Sequence, residues 1–477
     1  MTSCPLNVAT PLTSPVIGRV RARGALEIGD SMIGIGAETI DRDFVDFSEI
    51  REHLEPLGAK TVRLQAGWAK CKPVGGRYDL AFLDEVVDGV RNAGLKPWLE
   101  TSYGNPIYEG GGGTSLHGGF PTSPEALDAW DRWVNALAAH FADRVSHWEI
   151  WNEPDLLKDN TVVEYSRLYV RTARAIRAHI PSARLTALAL AIPGEPGFTR
   201  AFLGFLKDRD ALDLVDEVSF HGYLSNPDIA YDNVDTDHGR RGTVPPLVRT
   251  IREYSTKITV RQGETGCPST ETVGALGKYT WTELSQAKWA LRRLVTDLGH
   301  GVPACYFQIA DMNYRAEHIN PWNGMNTKGL LRMNPDLTFV YRKPAYRAVQ
   351  SLASIFDCTL EPMHELQWTS SSHERVRVYG FRQEASRYSA IVYWKSISPP
   401  SDDQTMGELS LDLAPVRIEH PVLVDLLTGT VHELPESAWV AETKSAGSVV
   451  RFDNLPLYDS PVVIADAACI PIESINR

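Results

Sequence analysis

Residues 147–155 read HWEIWNEPD, and this short stretch sets the reading of the whole chain. His147–Trp151 is an apolar run of strand length that passes without a spacer into Asn152, Glu153, Pro154 and Asp155. Just upstream, SPEALDAWDRWVNALAAHF (123–141) carries apolar residues at i, i+3 and i+4 behind a Ser-Pro start, the pattern of an amphipathic helix. The same unit recurs on either side. Short apolar runs fall at Met32–Gly36, Thr61–Leu64, Lys96–Glu100, His147–Trp151, Arg184–Ala189, Val215–Phe220, Ile258–Gly263 and Ala304–Phe307. Helical stretches such as DFSEIREHLEPLG and DLAFLDEVVDGVRNAG lie between them, stopped by Gly58 and Gly94. Eight strands alternating with helices from Met32 to Asp357, about 325 residues, give the period of an α/β (β/α)8 TIM barrel. A doubly wound open sheet is the competing architecture, and no G-x-G-x-x-G follows the first strand to support it.

Beyond about Ile355 the texture changes to β-rich segments such as HERVRVYGFRQ, RYSAIVYWKS and PVVIADAAC, joined by turn residues. The expected organisation is a catalytic barrel over residues 32–354 and an antiparallel β-sandwich over 355–477, to which residues 1–31 add a strand or two. The four-glycine run Gly110–Gly113, after the third strand, reads as a mobile lid.

Composition removes several function classes. The 477 residues carry 48 Lys plus Arg against 60 Asp plus Glu, a net charge of −12, and no basic stripe suited to phosphates, so neither nucleic acid nor an anionic membrane is an expected partner. The six cysteines are dispersed without a C-x-x-C pair, which suits free thiols and a cytoplasmic protein. The N-terminus does not read as a signal peptide, and no run reaches the roughly 18 apolar residues of a membrane span. The 13 histidines form no H-x-H or H-E-x-x-H, so no metal is expected. Lys70, Lys96 and Lys328 do not sit as a Schiff-base lysine would, no phosphate-binding loop occurs, and no cofactor is expected. Self-association of the chain stays open.

In a barrel, the loops after the strand C-termini form the active face. Strand four delivers Glu153 to that face, and strand seven, KITVRQGETG, delivers Glu264 roughly opposite. Two facing carboxylates are what glycoside hydrolysis requires, one to protonate the leaving oxygen and one to attack or to activate water. WNEP at one strand end and a glutamate at the end of strand seven resemble the glycoside hydrolases of clan A. The fuller run HWEIWNEPD, FHGY after strand six, and KGLLRMNPD with RKPAYRAVQSL resemble glycoside hydrolase family 39 in particular. The loops Tyr103–Phe120 and Leu224–Val244, which shape the sugar pocket, match no family pattern.

The resemblance implies that Glu153 is the acid/base and Glu264 the nucleophile of a retaining enzyme, with carboxyl groups about 5–5.5 Å apart. Glu264 and an apolar wall of Trp148 and Trp151 would favour a proton on Glu153, while Arg63 would keep Glu264 ionised. Asn152 would donate to the sugar 2-hydroxyl, and His221 and Tyr223 would orient the nucleophile and touch the sugar. Trp68, Tyr103, Tyr108, Phe307 and Trp322 are candidate stacking platforms, Trp322 foremost with Gln308 as a hydroxyl partner. Glu38 and Asp43 are further hydroxyl partners, with a helix cap the equal alternative for Asp43, and Cys267 reads as packing. The expected activity is exo-hydrolysis of small glycosides or oligosaccharides. Its rivals are an endo-glycanase and a silent carbohydrate-binding protein.

Overall fold

The computed structural model describes residues 8–71, 73–74, 77–157, 162–233, 241–314, 324–397, 399–444 and 447–475. Eight strands close a barrel: β1 (Ile33–Gly36), β2 (Thr61–Gln65), β3 (Lys96–Thr101), β4 (His147–Ile150), β5 (Arg184–Leu190), β6 (Glu217–Phe220), β7 (Thr259–Thr265) and β8 (Ala304–Tyr306). All neighbours run parallel and β8 pairs back onto β1, so the α/β barrel expected from the alternation is the fold observed.

The local reasons are visible in β4. Glu149 turns inward to Arg63 on β2, so the two-residue strand period sends Trp148 and Ile150 outward against the helices. The covering helix Pro124–His140 starts on Ser123, whose hydroxyl accepts from the Ala126 N–H at 3.1 Å, with Pro124 where no N–H is needed. Trp130, Trp133 and Leu137 form its buried stripe.

The chain leaves the barrel through helix Pro344–Ile355 and builds an antiparallel β-sandwich. One sheet has eight strands and the other four, Gln367–Ser370, Gly407–Ala414, Gly447–Leu457 and Trp439–Lys444. Ile391, Tyr393, Leu411, Phe452 and Ile464 are among the buried residues packed between them. The N-terminal strand Val16–Val20 pairs with Thr430–Glu433 and with Ile472–Ser474, so the chain's two ends meet in the larger sheet.

Helix Glu283–Gly299 lies between the barrel and the sandwich, which is why even its Lys288, Arg292 and Arg293 are fully buried. Each buried cation has an anion: Asp459 for Lys288 at 2.6 Å, Asp297 for Arg293 at 2.8 Å, and Asp228 for Arg292 at 2.8 Å. Asp228, on the loop after β6, also accepts from Trp394 Nε1 at 3.2 Å and Ser396 Oγ at 2.5 Å, both in the sandwich. One carboxylate thus joins a barrel loop, a barrel helix and the second domain. Asp228→Ala strands the Arg292 guanidinium, and the expected cost is about 3–5 kcal/mol of unfolding free energy by urea titration. A loss under about 1 kcal/mol would mean that the Ile397 carbonyl already satisfies Arg292.

Candidate active site

The barrel mouth is organised around Arg63, which points inward from β2 and is fully buried. A guanidinium has five N–H donors, and here it makes four hydrogen bonds and one further ion-pair contact. Nε donates to Glu149 on β4 at 2.6 Å, and Nη2 donates to Glu100 on β3 and to Asn152 Oδ1 at 2.9 Å. Nη1 faces Glu264 on β7 at 2.9 Å and Glu38, just after β1, at 2.8 Å. Ser219 on β6 and Ser102 add hydroxyl donors to Glu149 and Glu100. Burial, against the pull of Arg63, pushes the Glu100 carboxyl up to about 7.

Glu153 reaches the mouth through an unusual backbone. Trp151 and Glu153 both have left-handed φ, 68° and 45°, which bends the chain sharply before Pro154 opens a short 3-10 turn. Asp155 secures the bend by accepting from the Ala191 and Ile192 amides at 3.1 and 2.9 Å, and burial pushes its carboxyl up to about 6. Glu153 Oε1 lies 2.7 Å from His221 Nδ1, and the same nitrogen is 3.7 Å from Glu264 Oε2.

The two glutamates have different surroundings. Burial alone would raise Glu264, but the charges of His221 and Arg63 and the Tyr223 hydroxyl, which donates at 2.7 Å, hold it below the usual carboxylate range. Burial would lower His221, yet Glu264 and the hydrogen bond to Glu153 hold it above the usual imidazole range. Tyr223 and Tyr103 are pushed well up by burial, so both keep their protons as donors. Asn152 donates one Nδ2 proton to Tyr103 Oη at 2.9 Å and leaves the other for a ligand.

Glu153, His221 and Glu264 are also the cluster, among the described residues, whose donor atoms lie close enough to hold a metal ion, all within 4.8 Å. The Arg63 guanidinium beside Glu264 opposes a dication there, and the trio suits proton transfer better.

A cavity of about 490 Å3 opens over these groups. Asn152, Glu153, Tyr223, Glu264, Tyr103, Phe307 and Glu38 line it, while Arg63 and His221 stand behind the wall with no exposed surface. Several expected contacts are not brought here. Trp68 is fully buried and stacks on Tyr108 and Trp133, because the amphipathic helix after β3 needs an apolar face to cover. Gln308 is buried away from the cavity lining, its amide without a protein hydrogen-bond partner among the described residues. Asp43 pairs outward with Lys70 at 2.6 Å. The expected apolar wall beside Glu153 is absent from the lining, since Trp148 faces the helices and Trp151 packs on Phe120 and Trp130. Cys267 is buried with its thiol pushed well up by that burial, in keeping with packing. Trp322 lies outside the described residues.

The Gly110–Gly113 segment is a hydrogen-bonded loop rather than a loose lid. Gly104 and Asn105 amides donate to the Gly113 and Gly111 carbonyls at 2.9 and 2.8 Å. A Cβ on Gly111 would lie 2.2 Å from the Asn105 carbonyl, and Gly112 takes φ 73°, so the turn requires glycine. The loop sets Leu116 on the cavity wall.

Sequence reasoning passed over Glu100, Glu149, Arg42, Tyr314 and Asn326, and weighed Lys328 only as a Schiff-base lysine. The first two had a signal: charged residues inside strands that are otherwise apolar, at register-matched positions. Lys328 lines the cavity and donates to Asn326 Oδ1 at 3.3 Å, and burial lowers it to about 8.

Comparison with known proteins points the same way. The model of glycosyl hydrolases family 39 matches residues 40–251, a span that includes Glu153 and His221 and stops before Glu264. A β-xylosidase of Geobacillus stearothermophilus is 30% identical over 159 residues, 31% of this chain and 31% of that protein. A β-xylosidase of Caldicellulosiruptor saccharolyticus is 33% identical over 23% of this chain and 25% of that protein, so the chain spans under a third of these curated relatives. A solved family 39 glycoside hydrolase from Bacteroides cellulosilyticus WH2 has the same fold, with a TM-score of 0.64 at 20% identity over 92% of this chain and 81% of that one.

Two measurements test the electrostatics. Arg63→Met leaves its four carboxylates without their shared cation and should cost about 3–5 kcal/mol in urea unfolding. Arg63→Lys, with three donors for five acceptors, should recover only part of it. Because folding raises His221 above its ordinary 6.5, its cation stabilises fully below that pH and loses the effect as pH climbs through the folded value. The stability gap between wild type and His221→Asn should therefore shrink from about pH 5.5 to 8.5, and a gap that widened would contradict the assignment.

Proposed function

We propose that this chain, which is most like family 39 of the clan A glycoside hydrolases, is a retaining glycosidase that cleaves O-glycosidic bonds by double displacement. The observation that carries the reading is the spacing of the carboxylates. An oxygen of Glu153 and one of Glu264 lie within 4.8 Å of each other, an approach that suits the roughly 5–5.5 Å carboxyl spacing of retaining pairs.

In the first step a Glu264 oxygen attacks the anomeric carbon while Glu153 gives its proton to the glycosidic oxygen. The bond between them breaks and the alcohol leaves. In the second step water passes a proton to Glu153 and its oxygen to the anomeric carbon, which frees Glu264. Arg63 and Tyr223, on separate Glu264 oxygens, keep the nucleophile ionised and aimed. His221 touches both glutamates and spreads its charge between them. The free Nδ2 proton of Asn152 suits a sugar hydroxyl beside the anomeric carbon.

The cavity favours exo-action on small glycosides. Its volume of about 490 Å3 suits one or two sugar rings, and it is walled by Leu116 after β3, Leu156 after β4, and Gly274 and Ala275 after β7. These walls come from the loops after strands three, four and seven; of the loops the sequence pointed to, after strands three and six, residues 234–240 of the second lie outside the described residues. Two matched relatives are named as β-xylosidases, which makes β-xylosides the first sugars to try. We place the enzyme in the cytoplasm, a reading supported by free thiols at Cys71, Cys267, Cys305, Cys358 and Cys469. No helix of the described residues is long and apolar enough to cross a membrane.

Aryl β-xylosides, β-glucosides, β-galactosides and α-L-arabinosides give the test. Glu264→Ala should fall to background, and Glu153→Ala should lose about 10²–10⁴-fold on substrates whose leaving group needs a proton, less on dinitrophenyl glycosides. Proton NMR of the first product should show the anomer of the substrate. An inverted product, or full activity in either variant, overturns the reading.

A further inference from the structure

Glu38 lies just after β1, is 2% exposed and lines the cavity, yet the mechanism above gives it no task. Its setting is unusual. Glu38, Glu100, Glu149 and Glu264 all converge on the one fully buried Arg63 guanidinium. Four buried carboxylates cannot all stay ionised against one such cation with His221 beside it, so at least one carries a proton.

The hydrogen-bond partners show which. Glu149 has Arg63 Nε and the Ser219 hydroxyl. Glu100 has Arg63 Nη2, Ser102 and Gln65 Nε2 at 3.2 Å. Glu264 has Arg63 Nη1 and Tyr223. Among the described residues no donor hydrogen-bonds Glu38 Oε1, which has only an ion-pair contact with Arg63 Nη1, a nitrogen that hydrogen-bonds Glu264 instead. The carboxylate with the fewest donors is the one whose charge costs most.

We propose that Glu38 is a positioning residue for the nucleophile: it stays protonated through turnover, donates its O–H to Glu264, and leaves the charge of Arg63 to that residue. The assignment rests on Glu264 being the nucleophile. Electrostatics agree with it, since burial pushes Glu38 well above the carboxylate range, and a hydrogen bond from Glu38 is among the influences that hold Glu264 low. The charged and titratable groups facing Glu38 are Arg63 on β2, Glu100 on β3, Tyr223 after β6, Glu264 on β7, Cys305 on β8 and Tyr314 beyond it. Were Glu38 ionised, it would compete for Arg63 Nη1 and repel the charge that Glu264 needs.

The test is a carbon-13 NMR titration of protein labelled at the glutamate carboxyl carbon, with the two resonances assigned by their loss in Glu38→Gln and Glu264→Gln. The expected spectrum at pH 7 has Glu38 protonated and Glu264 ionised. Glu38→Ala should move the Glu264 midpoint up by about one pH unit, while Glu38→Gln, whose amide still donates, should move it by less than half as much. The acidic limb of kcat/KM on an activated aryl glycoside should follow the same shifts. An ionised Glu38 at pH 7, or a Glu264 midpoint unmoved in Glu38→Ala, overturns the proposal. Since the titration needs no turnover, failure of glycoside hydrolysis or of labelling at Glu264 would instead tell against the nucleophile assignment.

Discussion

The barrel mouth depends on one buried cation. Arg63 gathers acceptors from β1, β3, β4 and β7, so a single guanidinium sets the mutual positions of four strand ends. No other side chain has enough donors in one plane for this. Lysine has three and carries a point charge, whereas the guanidinium fork fixes directions as well as charge. The consequence is an anionic site that holds together: the repulsion among the glutamates is offset by the Arg63 hydrogen bonds, the hydroxyls of Ser102, Ser219 and Tyr223, and the imidazole of His221.

The same surplus of carboxylates divides the two glutamates to which we assign the chemistry. Glu264 sits where Arg63, His221 and Tyr223 favour its charge. Glu153 sits on a left-handed turn that lifts it to the cavity wall, with His221 as its nearest ionisable partner. The difference is one of neighbours, since both are buried glutamates in a single cavity. Beneath this, the sandwich contributes none of the described residues that line the cavity. It clamps helix Glu283–Gly299 and the loop after β6 through Asp228, Arg292, Trp394 and Ser396. That helix connects β7 to β8, so the second domain braces the half of the barrel that bears Glu264.

What was legible in the chain came from local rules. Short apolar runs separated by stretches of period 3.6 could bury their faces only by alternating strand and helix, and the barrel followed from their number. WNEP and GETG stood out because a carboxylate directly after a buried strand has to face the mouth. Several of the errors fell on aromatic side chains. Trp68 sits near a strand end as a sugar platform would, and the helix after β3 takes it for packing. Trp148 looked like a neighbour of Glu153, but the two-residue period of a strand sends it to the opposite face.

The amino-acid order therefore determined the barrel, the β-rich second domain and the loops that would carry polar groups, because these depend on periodicity and on the residues at each strand's C-terminal end. Tertiary structure alone decided which side chains share space. That Arg63 spends its donors on Glu38, Glu100, Glu149, Glu264 and Asn152 depends on the tilt and closure of eight strands, which brings together residues some 200 positions apart. No local pattern encodes that convergence, and the charges of the site are set by it.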